Sequence, residues 1–499
     1  MHQVYTGTQI REAEQPLLAA GAGPQLMHQA AWGLAQGVIE LLHEHQLAVP
    51  GARITGLIGA GNNGGDGLWA LSFLARRGAH ITAICTAERV HPEGAAAFRA
   101  AGGRFLSGPE TADYARAEVV IDAVLGTGAR GAWEGHPVPE GALVVACDIP
   151  SGVSADTGQV SGQAITADLT VTFGGLKVGL FNGAGAAHSG NIKLVDIGLG
   201  PHLPAPELQL LSPTDIPELL PPAAPHAHKY TRGVLGVLAG STKYPGAASL
   251  VCAGALATGV GMIRFLTQTE HAEPLTTLVL GAHPEVVPAT DPTERVQAWL
   301  VGSGLSDSDH RVEQAKQVLT LTQQQQLPAV IDADGLKLIE PATTQPRVLT
   351  PHAGEAAALL NRLGAGSDDA TQNQRVDRAN VEADPLAAAQ KLAELTGDVI
   401  VLKGPHTIIC GPDAGPGQRF IYPGGHPFLA TAGSGDTLAG IIAAVLTGWA
   451  EADAAPPLAA QAAAGVWLHG AASYAVAAGG PFGASQLAAG VRTVVAELL

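Results

Sequence analysis

Gly433-Ser434-Gly435-Asp436 stands where an irregular polar segment meets the apolar run TLAGIIAAVLTG. A glycine-rich turn at a helix start leaves backbone N–H groups unpaired, and the helix dipole favours an anion beside them. Asp436 would repel phosphate, so its place in the turn needs a reason. A base that takes the proton of a hydroxyl, while the amides hold charge developing on a transferred phosphoryl group, supplies one. The plainer alternative is a helix cap with an acid in its first turn. No GxxxxGK[ST] element occurs, which excludes a P-loop as the phosphate site.

A second group of polar turns lies upstream. Gly59-Ala60-Gly61-Asn62-Asn63-Gly64-Gly65-Asp66-Gly67 contains GxGxxG, but the next strand ends Ile84-Cys85-Thr86 without the acid that dinucleotide binding requires. Asparagine carbonyls suit a hard monovalent cation or a substrate amide; an ordinary tight turn is the alternative. Asp122, before Gly126-Thr127-Gly128, and Asp148, before Ser151, sit at two further strand ends. In a parallel sheet such ends gather at one edge, where α/β ligands bind. Downstream come Gly302-Ser303-Gly304, Asp332-Ala333-Asp334, Pro351-His352 and Lys403-Gly404-Pro405-His406-Thr407. Lys403 ends an apolar strand, where a buried cation needs either a nucleotide phosphate or a structural carboxylate. His226 and His228 form an HxH with no further recognisable ligand set.

These residues need elements to hold them. A chain of 499 residues exceeds one hydrophobic core, so two or three domains are expected. Hydrophobic content of 46% against 14% charged is globular. The net charge of −17 argues against a nucleic-acid or anionic-membrane surface. From Leu199 to Pro225 eight prolines predict an extended linker that makes neither core strand nor helix, and the domain break is placed at residue 212. Before it, RITGLIGAG, HITAICT, EVVIDAVLG, LVVACDIP, DLTVTFGG and NIKLVDIG read as strands. Helices are expected over 8–20, 24–46 and GDGLWALSFLARRG. After it, GVLGVLAG, MIRFLTQ, AWLVGSG, PAVIDAD, PRVLTP, DVIVLKG and HTIICG are strand candidates. The helices there fall near 246–259, 308–326, 353–361, 386–396, 436–448, 457–478 and 484–498, with a loop or weak helix from Gly364 to Pro385. Alternation of this kind predicts α/β units with parallel sheets. Cys85, Cys147, Cys252 and Cys410 lack CxxC spacing and read as buried thiols of a reducing cytoplasm. The first 15 residues show no secretory leader pattern, and no stretch of about 18 apolar residues suggests a membrane span.

Taken together, the motifs resemble the bifunctional NAD(P)H-hydrate repair enzymes over nearly the whole chain. GNNGGDG, DAVLGTG and DIPSG are similar to the epimerase half. HKYTRG, AGSTKYPGA, VGSGL, DADGL, TPHAGE, LKGPHT and TAGSGDTLAG are similar to the dehydratase half. The resemblance implies a Rossmann-like three-layer epimerase domain over 1–212 and a ribokinase-like α/β dehydratase domain over 213–499. It implies that Asn62, Asn63, Gly64, Gly65 and Asp66, the turn Gly126, Thr127, Gly128, Ala129, Arg130, Gly131 and Ala132, and Asp148 hold the hydrated nucleotide. Asn63, Asp122 and Ser151 would ligate potassium. Ala247, Gly304, His352 and Asp436 would line the second hydrate site, and Lys403, Gly404, Pro405, His406, Thr407 and Gly435 would bind ADP or ATP with Mg2+. Two departures stand out. Ser303 and Ser306 fall within a turn that reads GPGLG in the family, and Leu26-Met27-His28-Gln29-Ala30-Ala31 replaces LMExAG.

The implied reaction repairs NADH or NADPH hydrated across C5–C6 (NADHX, NADPHX). One domain would interconvert the C6 epimers, with Asp122 as an acid catalyst. The other would phosphorylate the S hydroxyl, with Asp436 as base, and eliminate phosphate. Small nucleotides are the implied partners, with no nucleic acid or membrane, in a cytoplasmic homo-oligomer. A kinase acting on small alcohols of the thiamine-precursor type shares the GSGD turn but needs neither the first domain nor HKYTRG. A non-catalytic scaffold would need no polar turns at three strand ends.

Overall fold

Strands buried on both faces dominate both halves of the chain: RITGLI at residues 53–58 is buried from Ile54 onward, and VVIDA at 119–123 is buried throughout. Such continuous apolar runs suit central strands of a parallel sheet. The computed structural model describes residues 1–499 except 129–130, 223–224, 268–272, 307–309, 342–344, 365–374, 414, 416–417 and 453. The chain divides into one unit of Gln3–Leu208 and another of Gln209–Leu499 with Met1–His2.

In the first unit the elements run β1 (His2–Tyr5), α1 (Gly7–Ala19), α2 (Gly23–Glu44), β2 (Arg53–Ile58), α3 (Asn62–Ala75), β3 (His80–Cys85), α4 (Pro92–Ala100), β4 (Arg104–Leu106), β5 (Val119–Ala123), β6 (Leu143–Cys147), β7 (Leu169–Phe173), β8 (Leu176–Lys177), α5 (Gly183–His188) and β9 (Asn191–Val195). The sheet order is β4-β3-β2-β5-β6-β7-β9, all parallel. One face, with Ile54, Ile58, Val119, Ile121 and Val171, packs on Leu34, Val38, Leu71 and Phe98 of the helices. The other face, with Leu57, Val120 and Val144, is covered by Tyr114, Val138 and Ile165. The third layer is therefore irregular rather than helical. The crossovers that build it carry Gly126, Gly128, Gly131, Gly135 and Gly141, which disfavour a helix.

The second unit continues with β10 (Leu208–Leu210), α6 (Ile216–Leu219), β11 (Val234–Leu238), α7 (Pro245–Thr258), β12 (Met262–Leu266), α8 (Glu273–Ala282), β13 (Val287–Ala289), β14 (Ala298–Val301), α9 (Arg311–Gln325), β15 (Ala329–Ile331), β16 (Arg347–Leu349), α10 (Ala353–Gly364), α11 (Arg378–Ala383), α12 (Pro385–Thr396), β17 (Val399–Leu402), β18 (Thr407–Cys410), β19 (Arg419–Tyr422), α13 (Ser434–Trp449), α14 (Leu458–Ala477) and α15 (Leu487–Leu498). Strands β13-β12-β11-β14-β15-β16-β17 are parallel, and β18 and β19 add antiparallel pairs. Helix α13 lies at the centre of this core, with Ile441, Ile442 and Val445 wholly buried. It crosses α7 so closely that a Cβ on Gly440 would lie 2.2 Å from the Val251 carbonyl oxygen.

Several short elements escape the sequence reading. α4 and α8 are short helices of nine and ten residues, and β1, β4, β13 and β19 span only three or four residues. The proline run is not a bare linker. Ser212 and Asp215 form a capping box there, α6 follows, and Ile216, Leu219 and Leu220 are buried in the second unit's core. Within Gly364–Pro385 the described part includes α11, capped by Asp377. Cys85 is exposed, whereas Cys147, Cys252 and Cys410 are buried, and none forms a disulfide.

Candidate active sites

The order in which the chain adds strands to the first sheet reverses between β2 and β5, and ligands of open α/β sheets bind at such a switch point. The loops after these strands touch: a Cβ on Gly59 would lie 2.0 Å from the Val124 carbonyl oxygen, so only glycine fits. Asn62 and Asn63 are not in the loop but open α3, whose cap residue Gly61 offers no side chain. A cavity of about 800 Å³ lies here, bordered by Asn62, Asn63, Asp66, the turn Gly126-Thr127-Gly128 and Asp148. Arg11 holds the turn by donating to the Thr127 carbonyl.

Beneath this crevice Asp122 is wholly buried. Ser151 donates to it twice, from its amide at 2.7 Å and its hydroxyl at 2.6 Å. The Leu125 amide donates to the Ser151 hydroxyl at 2.9 Å, and Asn63 donates to the Leu125 carbonyl at 3.0 Å. Asn63, Ser151 and Asp122 thus belong to one network of oxygen-bearing groups. Burial raises the Asp122 pKa to about 6, against the opposing hydrogen bonds of Ser151 and Val124. No cationic side chain is paired with it among the described residues.

Asp148 is different. Its backbone is left-handed, with φ of 70°, a conformation that costs a non-glycine residue on the order of 1 kcal/mol. Lys177, 1% exposed, donates to its Oδ1 and, at 2.8 Å, to both Thr172 Oγ1 and Phe173 O. The three donors of this ammonium are all used. Asp66, buried one turn into α3, has its pKa raised well above the usual carboxylate range by burial, then by Asp148 and Glu14. Burial raises Glu14 as well, helped by Asp148 and opposed by Lys177 and Arg11.

The second sheet switches between β11 and β14. The following loops are joined: the Gly240 amide donates to the Ser303 carbonyl at 2.7 Å. Gly304, with φ of 66°, approaches Ala247 so closely that a Cβ would lie 2.4 Å from the Ala247 Cβ. Lys403 donates to Asp332 Oδ1 at 2.9 Å, Thr350 to the same oxygen at 2.7 Å, and Ser303 to Oδ2 at 2.8 Å. The partner of the half-buried lysine is therefore a carboxylate of the protein. Burial favours neutral Lys403, but Asp332, Glu355 and Asp436 outweigh it and raise the pKa. Burial likewise opposes charge on Asp332, and Lys403, Thr350 and Ser303 outweigh it and lower the pKa.

Helix α13 begins at this cluster. Gly433, with φ of 88°, precedes it, and no side chain caps its amides. The Ser434 amide leans on the Thr431 carbonyl at 3.4 Å, which leaves Gly435 and Asp436 as the better anion donors. A Cβ on Gly435 would lie 3.4 Å from Lys403 Nζ, so lysine and turn are neighbours. Burial, then Asp332, raises the Asp436 pKa to about 6, opposed by Lys403 and a hydrogen bond with Ser303. From α14 the buried His469 is hydrogen-bonded to the Ser434 backbone, and burial pulls its pKa down to about 4.

Of the expected site residues, the structure brings Asn62, Asn63, Asp66, Gly126, Thr127, Gly128 and Asp148 to one cavity, with Asp122 and Ser151 underneath. Gly64 packs against Gly59, and Gly65 against His91 and Met27. Gly131 and Ala132 are exposed, and Ala129 and Arg130 lie outside the described residues. In the second unit Ala247, Gly304, Lys403, Gly435 and Asp436 converge. His352 is largely a cap for α10, its Nδ1 accepting from the Gly354 and Glu355 amides at 3.0 and 3.2 Å. Its backbone bridges that of Lys403, which leads into Gly404, Pro405, the half-buried His406 and Thr407 of β18. Sequence reasoning missed Glu14, Lys177 and His469. A lysine amid Gly174-Gly175-Leu176 and Val178 was the available signal for the second of these.

Two sheets with parallel strands on both sides of a switch point, each with polar turns there and a helix start without a side-chain cap, define an α/β protein with two candidate sites for small anionic ligands. Residues 235–487 match the family model described as NAD(P)H-hydrate dehydratase, and residues 23–179 match that of the YjeF-related protein N-terminus. The bifunctional NAD(P)H-hydrate repair enzyme of Mycobacterium leprae is 38% identical over the full length of both chains. That of Escherichia coli is 33% identical over 78% of this chain and 75% of its own. The crystal structure of the ADP/ATP-dependent NAD(P)H-hydrate dehydratase of Bacillus subtilis, co-crystallised with ATP and Mg2+, is 26% identical, with a TM-score of 0.48 over 58% of this chain and 99% of that one. The chain belongs to the bifunctional NAD(P)H-hydrate repair enzyme family, with an epimerase unit followed by a dehydratase unit. Among the described residues no helix is long and apolar enough to cross a membrane.

Proposed function

We propose that the β11–β14 crevice carries out the dehydration with Asp436 as general base and the amides of Gly435 and Asp436 as the anion hole. Asp436 takes the proton of the C6 hydroxyl, and the oxygen attacks the terminal phosphoryl group of ADP or ATP. The α13 amides meet the charge on the phosphoryl oxygens, where fixed dipoles stabilise most effectively. Loss of phosphate from C6 and of a proton from C5 then restores the dihydronicotinamide ring. Lys403, held by Asp332, steadies the far side of the turn, and the segment to Thr407 forms the nucleotide side of the site. Mg2+ enters as the nucleotide's own counterion. Among the described residues no cluster of three His, Cys, Asp or Glu side chains is placed to hold a metal by itself.

The β2–β5 crevice would take either hydrate epimer. Asn63, Ser151 and Asp122 fit potassium: the donors are hard oxygens with one carboxylate, and that carboxylate is buried without a cation beside it. The ion would supply the missing positive charge and fix the network under the substrate. Asp122 is then an ion ligand below the cavity rather than a group that meets substrate. Four thiols without a disulfide suit the reducing cytoplasm, and the homo-oligomer stays an expectation of the resemblance.

The observation that carries this reading is the pair of separate switch-point crevices, of which the second sets Asp436 inside the first turn of α13 beside Gly435 and Lys403. Its test is recovery of reduced-nicotinamide absorbance from mixed hydrate epimers. Full recovery is expected with ADP or ATP, and none without nucleotide. Recovery that stops at the S fraction would remove the epimerase assignment.

A further inference from the structure

We infer that Asp66 and Asp148 are the acid and base of epimerisation and that Lys177 is the residue that positions Asp148. The inference rests on the proposed use of the first crevice and deepens it. Both carboxyls border the same cavity. They flank it, since Asp66 stands on α3 after β2, Asp148 follows β6, and β5 runs between those strands. Inversion at one carbon needs a proton donor and a proton acceptor on opposite sides of the ring, and this placement provides them.

Environment divides the roles. Asp148 is paired with a buried lysine whose other hydrogens are fixed on Thr172 and Phe173, so its carboxyl group is held in one orientation. Asp66 has no such partner among the described residues, and burial, then the charges of Asp148 and Glu14, push its pKa well above the usual carboxylate range. The other ionisable groups around the cavity are Arg11 and Glu14 on α1, and His91 and Glu93 before and within α4. Arg11 is engaged with Thr127 and Thr8. Neighbouring carboxyls driven to opposite protonation states are the usual means of running acid and base chemistry at one pH.

The steps balance. The Asp66 carboxyl gives its proton to the C6 hydroxyl, the C6–O bond breaks, water leaves, and the N1 lone pair forms a C6=N1 iminium. Water then adds to the opposite face of C6 and gives its proton to Asp148. Asp66 ends as carboxylate and Asp148 as acid, a state ready to run the reaction backwards or to reset through solvent.

The test uses the full chain and separated NADH hydrate epimers. In H₂¹⁸O the unaltered protein is expected to place one ¹⁸O in each newly inverted C6 hydroxyl at early times. Retention of ¹⁶O would overturn the bond-breaking step whatever the variants do. Asp66→Asn and Asp148→Asn are each expected to lower kcat for interconversion by about 10²–10⁴ with KM within threefold. Lys177→Met is expected to lower kcat about 10–100-fold with KM within threefold, and Lys177→Arg to recover most of that loss, because the lysine fixes the orientation of Asp148. Either Asn variant within tenfold of wild-type kcat, or Lys177→Met at wild-type kcat, would overturn the assignment. An unaltered chain that does not interconvert the epimers at all would overturn the function proposed for the crevice as well.

Discussion

The two crevices share a plan and differ in what fills it. Each opens at the switch point beside the first central strand of its sheet, and in each the two adjacent loops touch through a backbone that a side chain would block. The epimerase crevice is then furnished by side chains: the four carboxyls of Glu14, Asp66, Glu93 and Asp148, two asparagines, and a buried lysine behind Asp148. The dehydratase crevice is furnished largely by main chain, the start of α13, with Asp436 set inside the turn. The difference follows the chemistry. Exchange of a hydroxyl at one carbon turns on where protons sit, which side chains control. Phosphoryl transfer turns on where negative charge spreads, which fixed amides control.

The sharpest way to break the comparison is to disable one crevice and watch the other. Asp436→Asn is expected to cut dehydration of the S hydrate by about 10²–10⁴ while leaving epimerisation at wild-type rate. Dehydration near the wild-type rate, followed by absorbance, would remove Asp436 as the base. In the other direction, replacing potassium with a bulky organic cation, or Asp122→Ala, is expected to abolish interconversion of epimers resolved by chromatography. ADP-dependent dehydration of the pure S form should survive. Ser151→Ala, which leaves Asp122 with one fewer donor, should lose about 10–100-fold, as expected for a group that orients a metal ligand. Equal rates in both salts would end the potassium assignment.

A smaller effect is read from pH. Asp436 must be deprotonated to accept a proton, and its pKa is raised to about 6. Dehydration is therefore expected to be full at pH 7.5 and to fall about tenfold per pH unit below 6. A flat kcat between pH 5 and pH 7.5 would contradict the base assignment. The smallest effect belongs to separating the units in the segment between β9 and β10. Each piece should keep its own activity within severalfold, because each holds its own core. The second piece alone should stall once the S epimer is consumed; clearing both epimers would refute the division of labour.

Much of this was legible in the residues. Strands such as VVIDA and VLGVL declare themselves by unbroken β-branched and apolar character, and each site turn follows one of them. The glycines at 59, 304 and 433 mark the close approaches that shape the crevices. What stayed hidden depends on residues far apart in sequence. Lys177 meets Asp148 across 29 positions, and Lys403 meets Asp332 across 71. No local pattern announces either pair. The proline run misled because proline also starts helices, and α6 begins with Ile216-Pro217. The irregular layer of the first sheet was hidden as well, since a glycine-rich crossover signals the absence of helix without showing what it covers.

The notch at Gly440 reaches beyond packing. It sits one helical turn below Asp436, where the backbone of α13 rests on the Val251 carbonyl of α7 with no room for a methyl group. A side chain at 440 would push α13 off α7 and carry the amides at its start with it, away from Lys403. The placement of that turn thus depends on an atom missing from a residue one helical turn away. Gly440 is accordingly as much a constraint on the chemistry as the aspartate above it.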